Sequence, residues 1–394
     1  LGGNLAAESS LAWLLQPLSV DTFLDEIWAR RPHHIQRGEP GYFDRLLPSV
    51  DDLLDQMRPE PSAMRLVKGG QDRDPASYRR GDGSLDPARA RDGLADGYTI
   101  VLNGLERYLR TVATLSHSLE VELNFPTRVN AYVTPPDSTG FVPHYDPHDV
   151  LVLQIQGAKT WQVSTAAPVP PHEIQSRQGV GTDGPASATE VRLRAGDVLY
   201  LPRGQVHSAE THSEPSVHLT IGLHAPTVLT LVTHALYALS LRDPGLHTRL
   251  SPRHLDDADA RAGLGDLVRD TLRSLEGSSV VADGLGALED VLARRGRCPP
   301  VGRVSDTVGI DAQTLVRKHQ PLYARVTRSA DRVVLHFAQL SVAAGLDHEA
   351  AMRFLASSVE PFRVGELPGL SAAQQTGLVQ TLLLNGFLAR LAEV

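Results

Sequence analysis

The chain is short of cysteine and of lysine, and each shortage narrows what it can be. Cys298 is the one cysteine in 394 residues, which excludes an internal disulfide and any thiolate metal cluster within a single chain. A bound metal would therefore be held by His, Asp or Glu. Lysine occurs three times, as Lys68, Lys159 and Lys318, among 38 basic residues; arginine is the default cation, so each lysine stands out. Long apolar runs are missing too. None approaches the roughly 18 to 20 residues of a membrane span, and no basic-then-apolar leader opens the sequence, so the expectation is a cytoplasmic protein with no membrane partner.

What is present has the balance of a soluble globular protein, 41% hydrophobic and 21% charged. The length exceeds one ordinary core and predicts roughly two to four domains. Net charge is −8 overall and unevenly spread, −4 over residues 121–226 and +3 over 295–394. The acidic middle disfavours a nucleic-acid backbone as partner and suits a basic peptide or protein.

Periodicity changes along the chain. Residues 9–60 predict short amphipathic helices, with Ser19 or Asp21 as a cap. From Gly69 to Gly97 the chain is rich in Gly, Asp, Arg and Pro, and predicts a long mobile loop. Tyr98 to Leu102 reads as a strand and Leu105 to Leu119 as a helix. From Thr127 to Gly222 short strands alternate with Gly and Pro turns, the pattern of an antiparallel sandwich or barrel. Pro135-Pro136 and Gly157 are expected strand ends, and Gln178 to Ala188 an exposed insertion. Beyond Pro226 the spacing turns helical over Val228–Leu241, Asp257–Leu275 and Leu285–Arg294; this block is apolar on broad faces and is a candidate for packing against a second copy. The last hundred residues mix a strand at Val333–Phe337 with a helix over His348–Ala356 and a helical segment over Ser371–Leu391 interrupted at Asn385-Gly386, a winged-helix order. A charge of +3 without a basic helix makes nucleic acid an unfavoured partner.

The chemistry concentrates in two pieces, Phe141-Val-Pro-His144-Tyr-Asp146 and Gly196 to His207. Residues two apart on a strand share a face, so His144 and Asp146 can converge and His207 can complete a set of two imidazoles and one carboxylate. That set is the facial triad of non-haem Fe(II) sites. A second His-x-Asp, His254-Leu-Asp256, lacks strand context and reads as surface, as do His33 and His34. His148, Asp149, His212, His218 and His224 lie close in sequence to the first set, and His218 is a candidate pocket residue. Lys159 shares a strand face with Trp161 after an apolar run; a cation there needs an anion, either a protein carboxylate or one on a small molecule. Asn130 and Tyr132 share a face of their own strand and can hydrogen-bond the same carboxylate.

In combination, Asn130-Ala-Tyr132-Val-Thr-Pro, His144-Tyr-Asp146, Asp149 through Lys159-Thr-Trp161, and Gly196 through Pro202 to His207 resemble the JmjC-type ribosomal oxygenases, the cupin-4 group, most closely over residues 98–226. The resemblance implies an α+β multidomain fold. N-terminal helical segments (1–120) would flank a JmjC/cupin double-stranded β-helix (121–226), followed by a helical dimerisation region (227–294) and a winged-helix C-terminal domain (295–394). It implies that His144, Asp146 and His207 bind Fe(II), and that Lys159, Tyr132 and Asn130 hold the distal carboxylate of 2-oxoglutarate. The implied activity is hydroxylation of an Arg or His side chain on a basic ribosomal protein by a homodimer. Two alternatives are the same chemistry on a small peptide or secondary metabolite, and a non-catalytic metal-binding cupin regulator. Lys159 beside a full triad argues against the last, since a scaffold needs no organic diacid.

Overall fold

One strand in the middle of the chain is long enough to serve two sheets. The structure, a computed structural model, describes residues 9–56, 63–168, 171, 178–179, 187–276, 279–298 and 304–391. It divides into two compact units, Leu1–Ala225 and Pro226–Val394. The strands of the first unit are β1 (His33–Ile35), β2 (Met64–Lys68), β3 (Gln71–Asp72), β4 (Thr99–Leu102), β5 (Thr127–Thr134), β6 (His144–Tyr145), β7 (Asp149–Ser164), β8 (Gln178–Gly179), β9 (Ala188–Arg194), β10 (Val198–Leu201), β11 (His207–Glu210) and β12 (Ser216–Leu223).

Gly157 does not end a strand, as its position in the sequence suggests, but lies inside β7. Its φ is +65°, and a Cβ there would stand 1.8 Å from the Pro215 carbonyl oxygen. Glycine alone tolerates both conditions. Before Gly157, β7 pairs antiparallel with β10 and β12; after it, β7 pairs antiparallel with β9 and β11. The first sheet continues from β12 through β5, β4 and β2 to β3, and from β10 to β1. The second continues from β11 to β6 and β8. Two antiparallel sheets joined through one strand answer the sandwich or barrel expected between Thr127 and Gly222.

Alternation along β7 sorts its side chains. Leu151, Leu153 and Ile155 enter the main core with Leu14, Phe23, Leu115 and Leu119 from the N-terminal helices. Val150 and Val152 turn to the other side and pack with Trp161, Val163, Leu193, Leu199 and Leu201. The helices cover the outer face of the first sheet because their own apolar stripes match it. Arg110–Leu123 buries Val112, Leu115 and Leu119, the three-and-four spacing of one helix face.

The segment from Gly69 to Gly97 departs from the expected loop. β2 and β3 form a hairpin around Gly69 and Gly70, both at positive φ. Helix Pro87–Ala95 begins at an Asp86 cap with proline in its first turn. Tyr78, Leu85 and Ala90 are buried in the core. These anchors are spaced too widely among charged residues to register as a pattern, yet they suffice once Asp86 and Pro87 set the helix start. The Gln178–Ala188 insertion lies outside the described residues apart from β8 and its C-terminal end.

The second unit begins with helix Val228–Ser240, whose Thr227–Thr230 capping box fixes its start. The expected Asp257–Leu275 helix breaks at Gly263 into Ala258–Ala262 and Leu264–Ser274, and the next runs Val280–Ala293, starting five residues before the expected Leu285. Then come β13 (Leu315–Lys318), β14 (Ala324–Arg328), β15 (Val333–Phe337), β16 (Leu340–Ala344), β17 (Phe362–Arg363) and β18 (Leu388–Arg390), in two three-stranded antiparallel sheets, β17-β13-β18 and β14-β15-β16. Helices Glu349–Ser357 and Ala372–Leu384 pack with them around Phe337, Met352, Leu382 and Phe387. The interruption expected at Asn385-Gly386 is there: the helix ends at Leu384, Asn385 caps it, and Gly386, at φ +72°, turns the chain into β18 in place of further helix.

Gly157→Ala is expected to cost about 3 kcal/mol or more, since it joins a backbone clash to an unfavourable φ. Urea denaturation of the full chain measures this, and a loss below about 1 kcal/mol would mean that β7 does not need its glycine.

Candidate metal centre

The two halves of the site meet because β6 and β11 are neighbours. His144 on β6 pairs with His207 on β11, and His207 pairs in turn with Val163 on β7. The imidazole centroids are 4.4 Å apart. Asp146 follows β6 and turns its carboxylate to both rings, with Oδ2 4.0 Å from His144 Nε2 and 3.7 Å from His207 Nε2. One ligand atom from each of the three lies within 4.8 Å of those of the other two, and all three residues are buried. This is the one such group among the described residues; His254 and Asp256 do not join one.

Both rings are oriented the same way. His144 Nδ1–H donates to the Val142 carbonyl and His207 Nδ1–H to the Gln205 carbonyl, each at 2.8 Å. With Nδ1 carrying the proton, Nε2 offers its lone pair toward Asp146, the arrangement by which histidines present themselves to a metal.

Behind this group lies a small cavity lined by Tyr132, His144, Asp146, Lys159, Trp161, His207 and His218, with Val150 and Val152 as part of its apolar wall. Lys159 is 5% exposed. Its Nζ donates to Thr134 Oγ1 at 2.9 Å, and no carboxylate of a described residue is ion-paired with it. Burial pushes its ammonium down to about 7. Burial and then the Lys159 charge hold His218 well below the usual imidazole range, so its ring is neutral at pH 7. Trp161 Nε1 and His218 Nδ1 are buried without hydrogen-bond partners in the described structure. The cavity thus presents donors and a cation together with a two-histidine, one-carboxylate set. That donor set suits a divalent metal with an open coordination side, and the unmatched ammonium suits an anion.

An outer cavity of about 470 Å³ shares Tyr132, Phe141, His144 and Asp146 with the inner one and adds Arg65, Asn103, Asn130 and His148. Asn130 lines this outer cavity together with Tyr132; its Oδ1 accepts the Gly104 N–H at 3.0 Å. His148 packs against His224, ring centroids 4.5 Å apart. His34, expected on the surface, instead makes a 3.2 Å contact with the buried Asp197, and β1 pairs with β10.

Asp149 and Tyr200 hold the two halves in place. Tyr200 OH donates to Asp149 Oδ1 at 2.6 Å and accepts the Ala29 N–H at 2.9 Å. Gly204 N–H donates to the Asp146 carbonyl at 2.8 Å. Burial raises the Asp149 carboxyl above the usual carboxylate range. Thr134 as the Lys159 acceptor and Tyr200 as the Asp149 donor were not anticipated. Thr134 had a legible signal, standing two residues beyond Tyr132 on the same strand face.

A family model described as JmjC domain matches residues 107–231. The chain is 31% identical over 238 residues to the Aedes aegypti bifunctional lysine-specific demethylase and histidyl-hydroxylase NO66, covering 56% of this chain and 35% of that protein. It is 28% identical over 305 residues to mouse ribosomal oxygenase 2, covering 71% of this chain and 61% of that one. The chain therefore spans about a third of the first relative's length and about three fifths of the second's. Among solved structures, the Escherichia coli ribosomal oxygenase YcfD superposes with a TM-score of 0.56 at 18% identity, covering 95% of this chain and 98% of that one. A second structure of that protein, in complex with cobalt and 2-oxoglutarate, gives a TM-score of 0.55 at 18% identity, covering 95% and 99%. At this identity the likeness is one of fold. Among the described residues no helix is long and apolar enough to cross a membrane.

Lys159→Met is expected to stabilise the ligand-free protein by about 0.5–2 kcal/mol, because a buried, unpaired cation opposes folding. The sign follows from the two pKa values. Below pH about 7 both states carry the proton and the cost is full; between about 7 and 10.5 the unfolded state binds more protons and the cost fades. The variant's advantage in thermal melting should be largest at pH 6 to 7 and small near pH 10, and a variant that melts lower than wild type at pH 6 would contradict this.

Proposed function

We propose that the chain belongs to the JmjC-domain ribosomal oxygenases, an Fe(II)- and 2-oxoglutarate-dependent hydroxylase family, and that it hydroxylates an Arg or His side chain of a ribosomal protein. In this reading His144, Asp146 and His207 hold Fe(II), while Lys159 and Tyr132 hold the distal carboxylate of 2-oxoglutarate. The observation that carries it is Lys159: a buried ammonium with no carboxylate ion-paired to it, in the same cavity as a complete triad. The relative's complex with cobalt and 2-oxoglutarate supports the same pairing of metal and diacid.

Fe(II), bound there with 2-oxoglutarate and dioxygen, would supply the oxidation of a C–H bond to an alcohol, with conversion of the diacid to succinate and carbon dioxide. The chain's own residues prepare the reactants. The Val142 and Gln205 carbonyls keep the two imidazoles in the ligating tautomer. Lys159 neutralises the far end of the diacid and so fixes its direction. Val150, Val152 and Trp161 exclude water from the space between. The outer cavity, with Asn103, Asn130 and His148 on its wall, receives the target side chain. The net charge of −4 over residues 121–226 favours a basic partner, as ribosomal proteins commonly are.

In the second unit, helix Leu264–Ser274 buries none of its residues, although Leu267, Val268 and Leu272 make an apolar stripe, each about half exposed. Val228, Tyr237 and Leu241 are exposed nearby in sequence. A surface of this kind calls for a covering partner. We take residues 227–294 as the homodimer contact and residues 295–394 as a winged-helix domain.

His144→Ala and Asp146→Ala should each abolish succinate formation while the melting curve keeps its cooperativity; full turnover by either variant would remove the triad assignment. Mass spectrometry of ribosomal proteins from cells with and without the protein should show a residue lighter by one oxygen atom in its absence, and an unchanged set would shift the target away from the ribosome. Leu267→Asp combined with Leu272→Asp should convert a dimer to a monomer in light scattering, whereas an unchanged mass would exclude this face.

A further inference from the structure

Native interiors rarely leave a buried nitrogen without a partner. Here two such atoms, His218 Nδ1 and Trp161 Nε1, belong to side chains lining the same small space as an ammonium without an anion. Their residues are 3% and 6% exposed. His218 sits where the register between β12 and β7 shifts, between Val217 and His218. Its ring lies flat on Tyr132, centroids 4.7 Å apart and planes 3° from parallel, and meets Trp161 edge to face at 5.6 Å. Packing on both sides fixes the direction in which the imidazole points.

We infer that His218 and Trp161 join Lys159 in holding the distal carboxylate of the diacid, so that three side chains from β7 and β12 share it. The inference rests on the reading of this cavity as a 2-oxoglutarate site. A carboxylate offers about four acceptor positions, and Lys159 has already given one of its hydrogens to Thr134. A second cation beside Lys159 would repel it in this dry space. A neutral imidazole and an indole add donors without adding charge. Burial and the Lys159 charge keep His218 in that neutral form.

The test uses the full chain loaded with Mn(II) in the absence of oxygen. Calorimetry measures 2-oxoglutarate and, separately, oxalate, which chelates the metal but has no distal carboxylate. His218→Phe, which keeps the stack on Tyr132, should weaken 2-oxoglutarate roughly 10- to 100-fold and leave Mn(II) and oxalate unchanged. His218→Asn, whose amide nitrogen takes the place of Nδ1, should regain part of the loss. Trp161→Phe gives the same comparison from the other side of the cavity, and serves alone should the histidine variants not fold. Wild-type affinity for 2-oxoglutarate in His218→Phe and Trp161→Phe, or an equal loss for oxalate, would overturn the inference. A wild-type protein that takes up Mn(II) but not 2-oxoglutarate would overturn the reading of the cavity itself.

Discussion

A carbonyl oxygen pressed against a bare α-carbon holds this site open. The Pro215 carbonyl occupies the space where any other residue at position 157 would carry its Cβ, and the left-handed turn at Gly157 lets β7 leave one sheet and enter the other without a break in the strand. Two residues later comes Lys159 and two after that Trp161, both lining the inner cavity. The polar end of the pocket and the apolar wall of Val150 and Val152 therefore come from one strand, and their separation is set by backbone geometry more than by side-chain packing.

Within that frame the site balances two opposite demands. A metal needs ligands that are rigid and oriented, and the Val142 and Gln205 carbonyls provide this through short hydrogen bonds to both imidazoles. An anionic ligand needs a cation kept from water, and burying Lys159 without an ion-paired carboxylate among the described residues costs folding free energy that a bound anion would return. The large core on the outer face of the first sheet, where Leu151, Leu153 and Ile155 meet the N-terminal helices, is what allows the fold to tolerate such a residue. Desolvation of a cation gathers on the same strand that joins the two sheets, so function and stability draw on one element.

The triad was legible because its residue types are rare in combination and its halves carried strand signals, whereas His254-Leu-Asp256 had the triplet without the context. Lys159 was legible because lysine is scarce. His218 could be marked only as a candidate, since nothing local tells a histidine that caps a cavity from one that fills a core; its meaning comes from Tyr132, Trp161 and Lys159, which reach it from other strands. Asn130 carries a contact that its own strand does not announce. Alternation puts it on the face of Tyr132, with which it lines the outer cavity, and the Gly104 backbone donates to its amide oxygen. The Gly69–Gly97 segment hid its order because three anchors, Tyr78, Leu85 and Ala90, are diluted by charge. Gly157 looked like a stop because close approach of another segment cannot be read from one strand's own residues.

The hydrogen bonds from Ala29 to Tyr200 and from Tyr200 to Asp149 extend the support of the triad beyond the stretch that carries it. The stretch that matches the JmjC family begins at residue 107, yet a backbone group nearly eighty residues upstream anchors the phenol that grips the start of β7, three positions after a metal-ligand candidate. His34 and Arg37 reach the Asp197 turn in the same way. The triad site is therefore not a cassette that can be cut at the edges of sequence similarity and transplanted. Its N-terminal helices are its back wall, and a cut at residue 107 would take away support from both halves of the site at once.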